Sequence, residues 1–132
     1  MGYRSDWKIA VEATPEKLNG FKDWLQDQAT NKDREQESYY AWSVAETYEM
    51  IIKCEKTTVK TEDGVGVLFE HEWTKCYDPW DMVVEEIEQY CTDNDIAFGY
   101  GRLGEDPGDV SLEDNNKGLY IRWSRSLASP FN

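Results

Sequence analysis

The segment "YYAWSVAETYEMIIKCEKTTVK", residues 39–60, decides how many strands the chain has. Its even positions from 40 to 54 read Tyr, Trp, Val, Glu, Tyr, Met, Ile and Cys, so Glu46 alone interrupts an apolar side. Such alternation is typical of a half-buried strand. We therefore predict one long strand from Tyr40 to Cys54, bent or bulged near Glu46. Its even face, Trp42 included, is expected to be buried under helices.

The segments on both sides of this stretch extend the pattern. After it, "TEDG" (61–64) contains the Asp-Gly pair of a hairpin turn, and "VGVLFEHEW" (65–73) returns as a second strand. Before it, "WKIAVEA" (7–13) alternates as a further strand. "ATPEKLNGFKDWLQDQA" (13–29) predicts a helix that Thr14 caps and Pro15 begins. The charged stretch "TNKDREQES" (30–38) is predicted to be an exposed loop.

A second helix is predicted in "YDPWDMVVEEIEQYCTDND" (77–95), with Asp78 as its cap and Pro79 at its first position. At about 100° per residue, one arc is apolar and the opposite arc is acidic. The apolar arc holds Trp80, Val83, Val84, Ile87, Tyr90 and Cys91, and the acidic arc holds Asp81, Glu85 and Glu88.

The last strands are predicted in "IAFGYG" (96–101) and "KGLYIRW" (117–123), joined by an acidic connection. The order of elements is then β-α-β-β-α-β with an extra C-terminal strand. We predict a single α+β domain over residues 1–132, ferredoxin-like, with two helices on one face of an antiparallel sheet.

The charge of the chain narrows the classes of partner. Its 132 residues carry a net charge of −13, and most of the excess falls after residue 61. Such a field repels nucleic acid and anionic membranes and attracts basic surfaces, although acidity can also serve solubility alone. No signal peptide or membrane span is recognisable, and three cysteines without CxxC spacing indicate small core residues. We expect a cytoplasmic protein.

The glycines Gly99, Gly101 and Gly104 have the spacing of a phosphate-binding loop. Such a loop needs a helix directly after it, and "EDPGD" (105–109) disfavours one. We therefore predict no bound nucleotide and no other cofactor. The glycines are expected to serve a twisted strand and its turn.

Metal and catalytic sites are weakly indicated. Asp106, Asp109, Glu113 and Asp114 could supply oxygen ligands to calcium, but their spacing is not that of an EF-hand. His71 is the only histidine, which disfavours zinc, and we expect it to be partly buried. A pair of His71 with Cys76 is the one nucleophilic arrangement available, and paired carboxylates remain possible. We predict no metal and no enzyme.

A partner-binding surface is the remaining interpretation. Aromatic side chains beside acids can anchor a protein interface. The predicted surface comprises Asp78, Trp80, Asp81, Glu85, Glu88, Tyr100, Glu105, Asp106, Asp109, Glu113 and Asp114.

At "LFEHEWTKCYDPWDMVVEEI" (68–87) and "FGYGRLGEDPGDVSLED" (98–114) the chain resembles the YubB-like group of small ferredoxin-like proteins of phages and plasmids. The shared features are an aromatic strand, a helix that starts with proline, and a strand that leads into a glycine-acidic turn, over about residues 65–121. The resemblance implies an origin in mobile elements, where acidic inhibitors of host nucleases and CRISPR complexes are common. It implies no catalytic residues.

These patterns together predict a non-enzymatic inhibitor of bacterial defence, of the anti-CRISPR or anti-restriction kind. Its acidic surface would block a basic nucleic-acid-binding protein or complex, with DNA mimicry as one mode, and would not itself bind nucleic acid or membrane. Three alternatives stay open: an immunity protein against a nuclease toxin, a small enzyme with a Cys–His or carboxylate site, and a structural adaptor.

Overall fold

The computed structural model describes residues 3–35, 38–39, 42–74, 79–123 and 126–131. Four helices lie in these ranges: α1 (Pro15–Thr30), α2 (Lys32–Glu35), α3 (Val44–Lys53) and α4 (Trp80–Asp93). Five longer strands are β1 (Ser5–Ala13), β4 (Glu55–Thr61), β5 (Gly64–Thr74), β6 (Ala97–Gly104) and β7 (Val110–Asp114). Two-residue strands are β2 (Ser38–Tyr39), β3 (Trp42–Ser43), β8 (Arg122–Trp123) and β9 (Leu127–Ala128).

The longer strands form one sheet in the order β4-β5-β1-β6-β7, and every neighbouring pair is antiparallel. β2 pairs with β3, and β8 pairs with β9, as separate two-stranded ribbons. The α+β class and the antiparallel sheet predicted from the sequence are confirmed.

The prediction of one long strand from Tyr40 to Cys54 is wrong. Tyr40 lies outside the described residues, and α3 occupies most of the remaining stretch. The buried residues of α3 fall at odd as well as even positions, which excludes a period of two. They are Val44, Ala45, Thr47, Tyr48 and Ile51.

Local capping explains why α3 forms where it does. The Ser43 hydroxyl accepts a hydrogen bond from the Glu46 amide at 3.1 Å, and the Glu46 carboxylate accepts one from the Ser43 amide at 3.2 Å. This reciprocal pair is a capping box, which satisfies two donors at the start of a helix. Glu46 is therefore a helix-start residue and marks no bulge.

Several local predictions are confirmed. Thr14 caps α1, where its hydroxyl accepts from the Lys17 amide at 3.4 Å, and the helix buries the predicted apolar stripe Leu18, Phe21 and Leu25. The hairpin turn lies between β4 and β5 at residues 62–63. α4 buries the predicted residues Trp80, Val83, Val84, Ile87 and Cys91.

Other boundaries differ from the predictions. Residues 32–35 form a short helix where a loop was expected. Pro79 lies at the N-cap of α4 and not at its first helical position, so the helix begins one residue later than predicted. Asp78 lies outside the described residues. The acidic connection after β6 contains β7, so the strand beside β6 is Val110–Asp114 and not "KGLYIRW".

The sheet is covered on both faces. One face packs against α1, α3 and α4, one helix more than predicted, because α3 replaces the long strand. On the other face, Leu119 and Ile121 of the C-terminal segment cover Ala10, Leu68 and Ala97. A Cβ on Gly99 would come 2.8 Å from the Leu119 carbonyl oxygen, and one on Gly101 would come 2.6 Å from Ile121. These two glycines permit the C-terminal segment to cross β6 closely.

Candidate acidic surface

The edge of the sheet and α4 bring distant acids together. In β7, Glu113 lies opposite Tyr100 of β6, on the face that the helices cover. Tyr100 is held beneath α4, because the Trp80 indole N–H donates to the Tyr100 hydroxyl at 2.8 Å. Glu113 is thereby brought beside the acidic side of α4, where Glu88 lies.

The Glu88 carboxyl lies in an unusually negative environment. Its pKa is raised from the ordinary value, first by partial burial and then by the charge and hydrogen bond of Glu113, with smaller effects from Asp114 and Glu85. Two carboxyl groups that hydrogen-bond to each other share a proton, since one of them must donate. The fold therefore brings two carboxyl groups together at this point, and they repel each other once that proton is lost.

These acids line an open groove between α4 and β7, with a volume of about 600 Å³. We call it the acidic groove. Among the described residues that line it there is no lysine or arginine. Its lining residues are Glu85, Glu88, Gln89, Thr92, Leu112, Glu113, Asp114 and Asn116.

Several acids elsewhere on the chain have basic partners. Arg34 binds both carboxylate oxygens of Glu86 at 2.8 and 2.7 Å, and Lys8 binds Glu70. Lys17 and Lys117 contact Asp95, and they hold the pKa of its carboxyl below the usual range. The acidic groove differs from these sites because its neighbouring charges have the same sign.

The predicted acids of the β6–β7 turn form a separate group at the far end of β7. Asp109 accepts hydrogen bonds from Arg102 at 2.7 Å and from the Tyr3 hydroxyl at 2.6 Å, and these bonds lower its pKa. Glu105 accepts from the Arg4 amide at 3.0 Å, and the Asp106 amide donates to the Tyr3 hydroxyl at 2.9 Å. These contacts tie the turn to the N-terminal residues and do not join it to the groove.

Two predicted surface aromatics are in the core. Trp80 is 2% exposed and Tyr100 is 3% exposed, and both belong to the main apolar cluster. Neither can contact a partner from that position, so placing them on the binding surface was wrong. Sequence periodicity had already put Trp80 on the apolar arc of its helix, and that signal outweighs the presence of acidic neighbours.

Two predicted acids of the binding surface remain, Asp81 and Asp78. Asp81 is exposed one turn before Glu85 on α4. Asp78 lies outside the described residues, so its predicted role stays a prediction. Gln89 and Thr92 were not predicted, although their spacing from Glu85 and Glu88 puts them on the same helix face. Leu112, which is 48% exposed on β7, was not predicted either.

Only one member of the suggested nucleophilic pair, His71, lies within the described residues. His71 is exposed, contrary to the prediction, and its Nδ1 lies 2.9 Å from the Thr74 hydroxyl. Cys76 lies outside the described residues. Cys54 and Cys91 are buried and unpaired, as expected for core cysteines, and burial raises the pKa of both thiols.

Within the described ranges, no three or more His, Cys, Asp and Glu side chains are placed to hold a metal ion. The glycines Gly99, Gly101 and Gly104 all lie inside β6, and a bend and turn follow them where a phosphate loop would have a helix.

Comparisons with models of protein families, with curated proteins and with solved structures found no match to this chain. Among the helices in the described ranges, none is both long enough and apolar enough to cross a membrane.

Proposed function

We propose that the protein is a non-enzymatic binding protein whose acidic groove, together with Asp81, occupies the basic surface of a nucleic-acid-handling partner. The observation that carries the proposal is that Glu85, Glu88, Glu113 and Asp114 line one groove whose described lining has no basic residue. A fold does not gain stability by holding ionised carboxylates together in one groove, since like charges repel. A cationic partner removes this repulsion when it binds. The free energy that the repulsion costs the folded protein is therefore recovered in the complex.

The character of the partner follows from the arrangement of charge. Glu85 and Glu88 lie on a helix and Glu113 and Asp114 on a strand, so the negative charge is spread along both walls of the groove. A row of carboxylates resembles a run of phosphates electrostatically, and proteins that bind nucleic acid carry matching rows of Lys and Arg. An inhibitor of bacterial defence that competes with DNA or RNA fits this arrangement.

Within the described ranges, the state of the cysteines and of His71 favours a binding role over catalysis. The thiols of Cys54 and Cys91 are buried, and a raised pKa keeps a thiol protonated and unreactive. His71 is engaged with Thr74 on its own strand. The proposal therefore assigns no catalytic residue.

The finer fold description and the proposed origin belong to the same proposal. β5 lies between β4 and β1, and β1 lies between β5 and β6, so each helical crossover skips one strand. This is the connection pattern of a split βαβ unit, which supports a ferredoxin-like classification with β7 as the added strand. A phage or plasmid origin in the YubB-like group and a place in the host cytoplasm are proposed with it.

The test compares two matched double variants. Glu85→Lys with Glu88→Lys reverses two charges in the groove, and Asp23→Lys with Asp27→Lys reverses two exposed charges on α1. Each variant and the wild type is used to capture partners from the native host, and association kinetics with the purified partner are measured at low and physiological salt. We expect the groove variant to lose at least about tenfold in affinity, mainly through slower association, and the α1 variant to lose little.

Two further measurements test the proposed function. Duplex DNA or RNA should displace the protein from its partner, and wild-type affinity should fall steeply with salt. Equal losses of affinity in both variants, or an affinity that does not change with salt concentration, would contradict the proposal. The acidity would then serve solubility alone. A captured nuclease toxin would identify an immunity protein that uses the same groove.

A further inference from the structure

The outer edge of β7 is open. β7 pairs with β6 along Gly99–Leu103, and no strand in the described part of the chain pairs with its other side. An open edge presents backbone N–H and C=O groups that another extended chain can bind.

The hydrogen-bond pattern shows which residues present those groups. The Asn115 amide donates to the Phe98 carbonyl at 3.2 Å, and the Gly104 amide donates to the Asp109 carbonyl at 2.8 Å. In an antiparallel pair the bonded positions alternate, so Ser111 and Glu113 point their backbone groups toward β6. The backbone groups of Leu112 and Asp114 therefore point outward, away from the sheet.

The side chains at this edge select the strand that can bind there. Glu113 points to the helix-covered face, beside Glu88, and Leu112 lies opposite Gly101 on the other face. Leu112 is 48% exposed, which leaves an apolar contact beside the acids. A neutral or acidic strand, including a second copy of this edge, would bring no compensating charge.

We propose that β7 accepts an extended segment of the basic partner as an added strand, with Lys or Arg alternating with apolar residues. An added strand would lie about 4.8 Å beyond β7. Its basic side chains then face Glu85, Glu88 and Glu113, and its apolar side chains contact Leu112. The main-chain bonds supply affinity and the alternating side chains supply selectivity. This inference rests on the proposed function, because it names how the partner engages the groove.

The probe for the test is a fluorescently labelled nine-residue peptide that alternates lysine with valine, at a concentration where it is monomeric. A control peptide has the same composition with its lysines clustered at one end. Binding is measured to the wild type, to Leu112→Pro and to Leu112→Ala. Proline removes the outward amide of residue 112 and leaves the inward bonds of Ser111 and Glu113, a position that edge strands tolerate. Alanine keeps the amide.

We expect the alternating peptide to bind at least about tenfold more tightly than the clustered one, and Leu112→Pro to lose at least about tenfold while Leu112→Ala loses no more than about threefold. Hydrogen exchange is measured on the wild-type protein, so this test does not depend on whether the variants fold. The amides of Leu112 and Asp114 should become protected when the peptide binds.

The outcomes separate this inference from the proposed function. If the Glu85→Lys, Glu88→Lys variant loses the peptide but Leu112→Pro keeps it, strand addition is overturned and the acidic groove stands. If the peptide binds without protecting the Leu112 and Asp114 amides, strand addition is also overturned. If every variant binds equally, both proposals fall.

Discussion

Two glutamates on one helix show how neighbouring residues of the same type differ in their energetics. Both carboxylate oxygens of Glu86 accept hydrogen bonds from Arg34, and the Tyr48 hydroxyl donates to Glu86 at 2.5 Å. Burial and this negative partner raise the pKa of Tyr48 well above its usual range. Glu88, two residues on, faces Glu113. One acid stabilises the packing of α2, α3 and α4, and the other is available to a partner.

The repulsion at Glu88 gives a prediction that depends on pH. A folded-state pKa above the ordinary value means that the folded protein binds more protons than the unfolded chain as pH rises past that value. Stability is therefore lost as pH rises through this window, and the penalty is complete above the raised pKa. Glu88→Gln cannot ionise, so at pH 7 it should be more stable than the wild type by about a few tenths of a kcal/mol, after allowance for solvent screening.

The measurement is urea denaturation at about pH 7 and about pH 4. The gain from Glu88→Gln should disappear at the lower pH, where the wild-type carboxyl is protonated. Glu62→Gln in the exposed hairpin turn is the control and should change neither value. A gain that is the same at both pH values would show that charge repulsion is not its cause.

Capping matters more than strand propensity for α3. Val44, Tyr48 and Ile52 would be apolar neighbours on one side of a strand and also of a helix, because four and eight residues fit both periods. The capping box at Ser43 and Glu46 supplies the local preference, and packing of Tyr48 and Ile51 against the sheet completes it.

The capping box gives a prediction at the level of this element. Ser43→Ala removes the acceptor of the Glu46 amide and should lower the free energy of unfolding by about 0.5–2 kcal/mol. Glu46→Gln keeps a side-chain acceptor for the Ser43 amide, so it should cost less. Urea midpoints and far-ultraviolet circular dichroism measure both changes. Equal midpoints for Ser43→Ala and wild type would mean that packing alone maintains α3.

The molecule as a whole depends on a sheet that is buried on both faces. The helices cover one face, and part of the other is covered by Leu119, Ile121, Leu127 and Phe131. Ala10 and Leu68 would face water without this cover, and apolar area returned to water costs roughly 25 cal/mol per Å². The C-terminal segment is therefore part of the fold.

This arrangement predicts opposite tolerances at two adjacent positions. Ile121 is 5% exposed and packs over Gly101, whereas Tyr120 is 47% exposed. Ile121→Asp puts a charge against the sheet and should destabilise by about 3 kcal/mol or more. Tyr120→Asp should stay within about 0.5 kcal/mol of the wild type. Thermal or urea unfolding of the two variants measures the difference, and similar losses in both would contradict the placement of this segment.

The sequence by itself determined the elements whose signals are local. Alternation in residues 7–13, the Thr14-Pro15 start of α1, the turn before Gly64 and the apolar arc of α4 all appear where they were predicted. Each signal lies within one strand, one helix or a single hairpin, so the neighbouring residues suffice to specify it. The acidity of α4 opposite its apolar arc was also predictable, because helical periodicity separates the two faces.

Only the tertiary structure decided three features. It supplied the burial of Tyr48 and Ile51 that completes α3, a helix whose start the local capping box sets. It buried Tyr100 beneath α4, where its hydroxyl accepts a hydrogen bond from the Trp80 indole. It brought Glu88 to Glu113, 25 residues later along the chain. The physical reason is common to all three. Contacts between distant segments depend on how helices and strands pack, and a local sequence pattern does not indicate which distant residue a side chain will contact.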